Sequence, residues 1–423
     1  MQRLSPDALD LSALIRPGDH VIWGQGSGEP QTLTEALVAQ RAKIGPMSVF
    51  LGSAYSDTLQ AEHADFLHMR GYAAVGTMRR LTKAGVLNIV PCGVAMVSAY
   101  IAQGVIGCDV ALVQLSPPGP DGRHSYGVIN DYIRAAVAKA RMVIAEINDQ
   151  VPWTYGEPGP DPDQIDYFIE TSRPVLAQTP QPPGATDRAI AANLAHFIED
   201  GSTLQIGVGG TPDAVMQLVG DRKDLGVHSG LLGDGWVDLV ERGVITNARK
   251  PFDTGLSVTG YLIGSKRLFD FAHLNRSLAL RPHSLLNAEA TLAALPKLVG
   301  VNSAVEVDLT GQVNGEQIDD DYVGAVGGQV DYTRGAHRSP GGHAIIALPA
   351  TAKRDSLSRI VAKLSGPVTT ARSDVDVVVT EFGCAELRGQ SIPERARRMI
   401  AIAHPDFREA LEQAAQPLFK RGF

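Results

Sequence analysis

The sequence predicts an α/β protein built from two domains with mostly parallel sheets, and three observations carry that expectation. Short apolar runs rich in β-branched residues alternate with segments of helical apolar period. A chain of 423 residues exceeds what one ordinary core accommodates, so two domains are expected. A proline-rich stretch then interrupts the alternation before it resumes.

In the first half, HVIWGQ from His20, SVFLG from Ser48, LNIVPCG from Leu87, DVALVQLS from Asp109 and MVIAEIN from Met142 have the length and content of buried strands. TLTEALVAQRA, VAMVSAYIAQG and DYIRAAVAKA carry apolar positions at helical spacing. Strands alternating with helices imply a mostly parallel sheet covered on both faces. PVLAQTPQPPGATD, from Pro174 to Asp187, holds four prolines and cannot continue a ladder, which makes it the linker. The expected domains are 1–180 and 187–423. The second contains the helix DRAIAANLAHFIEDG, the strands TLQIGVG, AIIALPA and DVDVVVTEFG, and a C-terminal helical segment, IPERARRMIAIAHPDFREALEQAA. No sequence repeat relates the halves. Ligands are expected in the cleft between such lobes.

Composition narrows the function. The net charge is −8, from 38 basic against 46 acidic residues, which argues against a nucleic-acid or anionic-membrane partner. Cys92, Cys108 and Cys384 are scattered, with neither disulfide nor zinc spacing, so reduced thiols and no metal are expected. The N-terminal MQRLSPDALD lacks a signal-peptide pattern, and no apolar run reaches the roughly 18 residues of a span; a cytoplasmic protein is expected.

Several strings could carry chemistry. In TLQIGVGGTPDAVMQLV a strand runs into Gly207, Gly209 and Gly210, and Thr211 and Pro212 are placed to cap and open a helix. Such a turn is either a tight connection or a ligand nest with free N–H groups. It is not a dinucleotide fingerprint. GAVGGQVD, Gly324 to Asp331, is a mobile loop or a set of oxyanion donors. Lys353 follows a strand end, where open α/β sheets bind ligands. In GQGSGEPQTLTEAL, Pro30 fits the first helical position, which would make Glu29 a first-turn acid. EFGCAELRG and AHPDFRE hold charges that the local pattern does not assign. Trp23, Trp153, Tyr155 and Trp236 are acyl-pocket or core aromatics.

Taken in order, GEPQTLTEAL, VALVQLSPPGPDGRHSYGV, DLVERGVITN, NSAVEVDLTGQVN, VGGQVDYTRGA, LPATAKRDSLSRIV, VTEFGCAELRG and AHPDFRE resemble segments of the acetyl-CoA hydrolase/transferase family, which includes 4-hydroxybutyrate and acetate CoA-transferases. The matches span about residues 24–409. The resemblance implies two α/β domains with the active site between them, and coenzyme A as substrate or product. It also implies a glutamate that attacks the acyl-CoA thioester, dividing one hard exchange into two easier steps. By the same matching, Gly207, Val208, Gly209, Gly210, Thr211, Gly324, Gly327 and Lys353 fall on CoA-contacting positions, and the Gly328 amide on a donor to the thioester oxygen.

One motif departs from the family. Members read HSEMFSDG or close to it, whereas this chain reads HSGLLGDG. His228, Ser229, Asp234 and Gly235 match, and Gly230 stands where the nucleophilic glutamate belongs. Without a side chain, Gly230 cannot form glutamyl–CoA. Asp234 and Glu306 are the alternative acids. The expected function is processing of a short or medium acyl-CoA by hydrolysis or a lyase or decarboxylase step. The alternatives are transfer to a small carboxylate through another acid, or an inert CoA-ester-binding subunit. The expected assembly is a homo-oligomer or a pairing with a partner subunit.

Overall fold

A computed structural model describes residues 1–420 of the chain, which divides into two compact units. The first comprises Met1–Thr179, Val258–Leu286 and Tyr322–Gly327; the second comprises Pro180–Ser257, Asn287–Asp321 and Gly328–Phe423. The chain first leaves one unit for the other inside the proline-rich stretch, and two later excursions return segments to the first.

The first unit is built on an eight-stranded sheet. Its strands are β1 (Gln2–Arg3), β2 (His20–Trp23), β3 (Met47–Ala54), β4 (Leu67–Gly76), β5 (Leu87–Ile89), β6 (Val110–Leu115), β7 (Met142–Asn148) and β8 (Tyr167–Thr171). Their order is β1-β8-β7-β6-β2-β3-β4-β5, and every neighbouring pair is parallel. The helices α1 (Gln31–Ile44), α2 (Met78–Lys83), α3 (Val94–Ala102) and α4 (Ile133–Lys139) supply the crossovers. Parallel strands buried on both faces read as near-continuous apolar runs, as β6 does, with all six residues buried. Apolar clusters lie on both faces of the sheet, around Leu33, Val49 and Leu112 on one and Ile22, Val97 and Ala136 on the other.

Five of these strands follow the sequence pattern. β4, ten residues long, does not, because His68, Arg70 and two glycines break its apolar run. Its place is set by pairing, from Met47↔Leu67 through Ala54↔Gly76, with a register shift between Leu51 and Ser53.

The second unit repeats the principle. Within it the strands run β10 (Gly226–Leu232), β9 (Thr203–Ile206), Leu298–Asn302, His343–Ala347, Val377–Thr380 and Gly383–Glu386, all parallel except the last, antiparallel pair. α5 (Ala185–Leu194), α6 (Gly210–Leu218), α7 (Asp234–Glu241) and the helix Gln329–Arg338 belong to this unit, and the C-terminal segment forms two helices, Ile392–Ala401 and Pro405–Lys420. Among the described residues, no helix is long and apolar enough to cross a membrane.

Candidate functional site

The glycine turn of the second unit follows β9, whose four residues are buried, and ends where α6 begins at Gly210. Gly209, not Thr211, is the N-cap residue, with φ +121°. Thr211 lies inside the first turn, and its hydroxyl donates to Asp187 Oδ1 at 2.7 Å. Asp187, in the first turn of α5, also accepts from the Gly184 amide at 2.9 Å. A Cβ on Gly210 would stand 2.4 Å from that carboxylate, so the acid explains the glycine. Gly207 and Gly209 differ. A Cβ there would meet nothing closer than 4.0 Å, leaving room beside the backbone. Val208 between them is 38% exposed. Asp213, in the same helix, is pushed up to about 6 by burial first, and then by Asp234 and Asp187.

β10 carries His228, Ser229 and Gly230. Ser229 Oγ donates to Ile206 O at 3.0 Å and clips the strand to β9. His228 is buried, and Gly230 is half-buried in extended backbone. A glutamate could adopt that conformation without strain. Asp234 opens α7, and Trp236 is buried with its indole N–H donating to Ser257 Oγ at 2.9 Å. Trp236 and Trp23, each 1% exposed, are core residues. Trp153 donates to Arg123 O, and Tyr155 lies under Arg276. Glu306, the other alternative acid, is 8% exposed. One of its oxygens accepts from Asn314 Nδ2, the Ser365 amide and hydroxyl, and the Gly366 amide, at 2.7–3.3 Å. A carboxylate so held is a structural acceptor.

GAVGGQVD divides between the two units. Gly324 and Gly327 belong to the first, where their carbonyls accept from the Ala74 and Val94 amides, each at 2.9 Å. Gly327 has φ +57°. Gly328 belongs to the second unit and is the N-cap of helix Gln329–Arg338. A Cβ on it would stand 3.0 Å from Asn287 Nδ2 and 3.4 Å from the Tyr332 ring. Asn287 Nδ2 in turn donates to Asp331 Oδ2 at 3.0 Å. Burial raises the Asp331 carboxyl, against the Asn287 hydrogen bond and Arg334, which lower it. Asn287 and Asp187 went unread in the sequence, because short polar residues beside helices carry no periodic signal.

Lys353 begins the exposed turn between the antiparallel strands Thr351–Ala352 and Leu357–Ser358. In the first unit, Glu29 is 2% exposed and accepts from Thr34 Oγ1 at 2.8 Å and Ser56 Oγ at 2.6 Å. Burial pushes it up, and these hydrogen bonds oppose the shift. Helix α1 starts at Gln31 with Pro30 as N-cap, so Glu29 lies outside it and is not a first-turn acid. In the same unit Gln25 Nε2 donates to Asp131 Oδ2 at 2.5 Å, while Gln25 Oε1 accepts from Ser53 N and Tyr72 OH. Burial pushes Asp131 up to about 6.

Three residues of the unassigned charged strings make contacts within the fold. Glu381 accepts from the Ala350 amide, Arg388 pairs with Asp376 at 2.7 Å, and Arg408 donates to Ala403 O. The thiols of Cys92, Cys108 and Cys384 are unpaired and pushed up to about 11, 12 and 11, chiefly by burial. Among the described residues, no group of three or more His, Cys, Asp or Glu could hold a metal ion.

Comparison with known proteins identifies a family for both halves of the chain. Residues 6–176 match the acetyl-CoA hydrolase/transferase N-terminal domain, and residues 264–415 match the C-terminal domain. The chain is 39% identical over 401 residues to the 4-hydroxybutyrate coenzyme A transferase of Clostridium kluyveri, covering 94% of each. Among solved structures, RipA from Yersinia pestis superposes with a TM-score of 0.93 at 33% identity, covering 99% of this chain and 98% of that one. A 4-hydroxybutyrate CoA-transferase from Porphyromonas gingivalis does so with a TM-score of 0.85 at 34% identity, over 99% and 98%.

Proposed function

The chain belongs to the acetyl-CoA hydrolase/transferase family, whose substrate is CoA, and from that premise we propose that it cleaves a short or medium acyl-CoA thioester without a glutamyl–CoA intermediate. The observation carrying the proposal is Gly230: the strand position assigned by resemblance to the nucleophile has no side chain. Water in the space so left attacks the thioester carbon. The C–S bond breaks, the carboxylic acid leaves, and the proton lost by the water ends on the CoA thiolate. The oxyanion formed on the way requires preorganised donors, and the Gly328 amide at its helix N-terminus fits that need. A lyase or decarboxylase step would use the same donors. His228 and Asp234 flank the vacated position in sequence.

The second reading, transfer to a small carboxylate through another acid, meets an obstacle in Glu306, whose carboxylate is already held by four donors. Asp234 is the remaining carrier for it. The third, an inert CoA-ester-binding subunit, predicts no turnover by the chain alone. We place the protein in the cytoplasm, as a homo-oligomer or with a partner subunit; its three free thiols suit a reducing compartment.

Mass spectrometry after incubation with acetyl-, butyryl- and 4-hydroxybutyryl-CoA tests the reading, together with release of free CoA. Thioester cleavage with no CoA adduct on any carboxylate is expected. An adduct on Asp234 or Glu306 returns the chain to the ordinary transferases. In Gly230→Glu, the extended backbone allows the glutamate, and CoA exchange into acetate should appear.

A further inference from the structure

The first unit holds a cavity of about 650 Å³ at the carboxyl ends of β6, β7 and β8. The loops after the three strands, 117–120, 149–153 and 174–177, line it, and helix Lys266–Ala272 with His273 and Leu274 borders it on the fourth side. Carboxyl ends of parallel strands are where open α/β sheets bind ligands, and the volume lies within the roughly 300–1,000 Å³ of small-molecule sites. None of Gly26, Gly207, Gly230, Gly328 or Lys353 lines it.

The wall is mostly apolar and held in place. Five prolines, Pro117, Pro118, Pro120, Pro152 and Pro174, bring no N–H to it. Trp153 is fixed by three contacts: its indole N–H donates to Arg123 O, Tyr155 meets the ring edge-on at 4.8 Å, and Gly119 lies so close that a Cβ would stand 2.1 Å from Nε1. The Trp153 backbone in turn clamps the loop after the helix. Its amide donates to His273 Nδ1 at 3.1 Å, and the Leu274 amide donates to Trp153 O at 2.8 Å. Leu274 is thereby held at φ +53°, a strained conformation for leucine of the kind found at ligand clamps, and it is 40% exposed. The same clamp fixes a tautomer. A backbone N–H only donates, so His273 Nδ1 accepts and the ring proton sits on Nε2. That Nε2–H has no partner among the described residues. The charged groups of the wall are paired, Asp149 with Gln150 Nε2 at 3.0 Å and Lys266 with Asp270 at 2.6 Å.

We propose that this cavity binds an uncharged ligand with a ring-sized apolar body and one carbonyl oxygen, which accepts the His273 Nε2–H. The lining decides against a charged ligand. Asp149 and Asp270 outnumber Lys266, so a carboxylate would face net like charge, and a cation would have to displace Gln150 or Lys266 from its partner. An apolar body packs on Trp153 and Phe269 and takes the exposed Leu274 out of water. A hydrocarbon of the same size would cut the Nε2–H off from water and give it no partner. The proposal does not rest on the CoA-thioester reading.

Acetophenone, ethylbenzene and benzoate, titrated into the full chain labelled with ¹⁵N-tryptophan, test the assignment. The chain gives three indole signals, from Trp23, Trp153 and Trp236. Acetophenone should shift the Trp153 signal and leave the other two unmoved. Ethylbenzene should bind about fivefold more weakly, the worth of one hydrogen bond, and benzoate should also bind more weakly than acetophenone. Ala177→Phe, at an exposed position of the wall, should abolish the Trp153 shift with thermal unfolding unchanged. An unmoved Trp153 signal, equal affinity for acetophenone and ethylbenzene, or tighter binding of benzoate would overturn the proposal. So would an acetophenone shift that survives in folded Ala177→Phe; the comparison of the three probes in the unaltered chain does not depend on that variant.

Discussion

Two glycine turns, one in each unit, look alike in sequence and differ in what surrounds them. Both follow a buried strand, both precede a helix, and both have an acid nearby. In GQGSGEP of the first unit, a Cβ on Gly26 would fall 1.6 Å from the Tyr261 hydroxyl, and one on Gly28 would fall 2.1 Å from the Ile129 side chain. In IGVGGTP of the second, Gly207 and Gly209 have open space beside them. The first turn is glycine-rich because the protein has already filled the space, and Tyr261 OH accepts the Ser27 amide at 2.8 Å as part of that filling. The second has nothing of the protein packed into that space. Glycine spacing therefore reports close approach without saying whether the approaching group is protein or ligand.

The comparison can be broken most forcefully at Gly26. Gly26→Ala combines φ +52° with a clash against buried Tyr261, and should cost about 3 kcal/mol or more in chemical denaturation. A loss below about 1 kcal/mol would show that the first turn is not packed shut. Gly328→Val comes next. Its side chain would press on Asn287 and Tyr332, so CoA-ester binding or turnover should fall at least tenfold, about 1.4 kcal/mol, while far-UV dichroism stays native. Equal activity would remove the Gly328 donor from the site.

Asp213→Asn sharpens the electrostatic side. The folded carboxyl is raised from 3.8 to about 6, so its charged form is disfavoured by folding. The stability linked to Asp213 is fully present below about pH 3.8 and is lost as pH rises toward and through about 6. The variant should gain stability over the parent at pH 7.5 and little at pH 3.5. Denaturation midpoints at the two pH values check this, and a gain of equal size at both would contradict it. The smallest stability effect belongs to Gly207→Ala, within about 0.5 kcal/mol, because the new methyl meets nothing closer than 4.0 Å. CoA affinity should nevertheless fall, measured by calorimetric titration.

Legibility in the sequence followed the range of the interactions. Helix α3 (Val94–Ala102) and strand β7 (Met142–Asn148) are fixed by patterns within themselves, and both could be read. The strand β4 could not, since Arg70 and its glycines are tolerated only once the neighbouring strands exist. The same holds for the site. Gly207 to Thr211 announce a turn, but Asp187, which fixes Gly210 and Thr211, lies in another helix. Asn287 reaches Asp331 across more than forty positions and leaves no local trace. Gly230 drew notice through the family pattern alone, because an absent side chain makes no signal of its own.

The interleaved make-up of the first unit bears on how the chain is made. Residues 1–179 carry all eight strands of its sheet, yet lack Tyr261, which seals the Gly26 turn, and Gly324, whose carbonyl takes the Ala74 amide. On a ribosome adding about 5–20 residues each second, those pieces emerge several seconds to half a minute after the sheet. The nascent sheet must wait that long with its glycine turn unsealed, exposed to misassembly and to holding chaperones. Expression of 1–179 alone would freeze that waiting state, and its low solubility would mark the point in synthesis where the protein is most vulnerable.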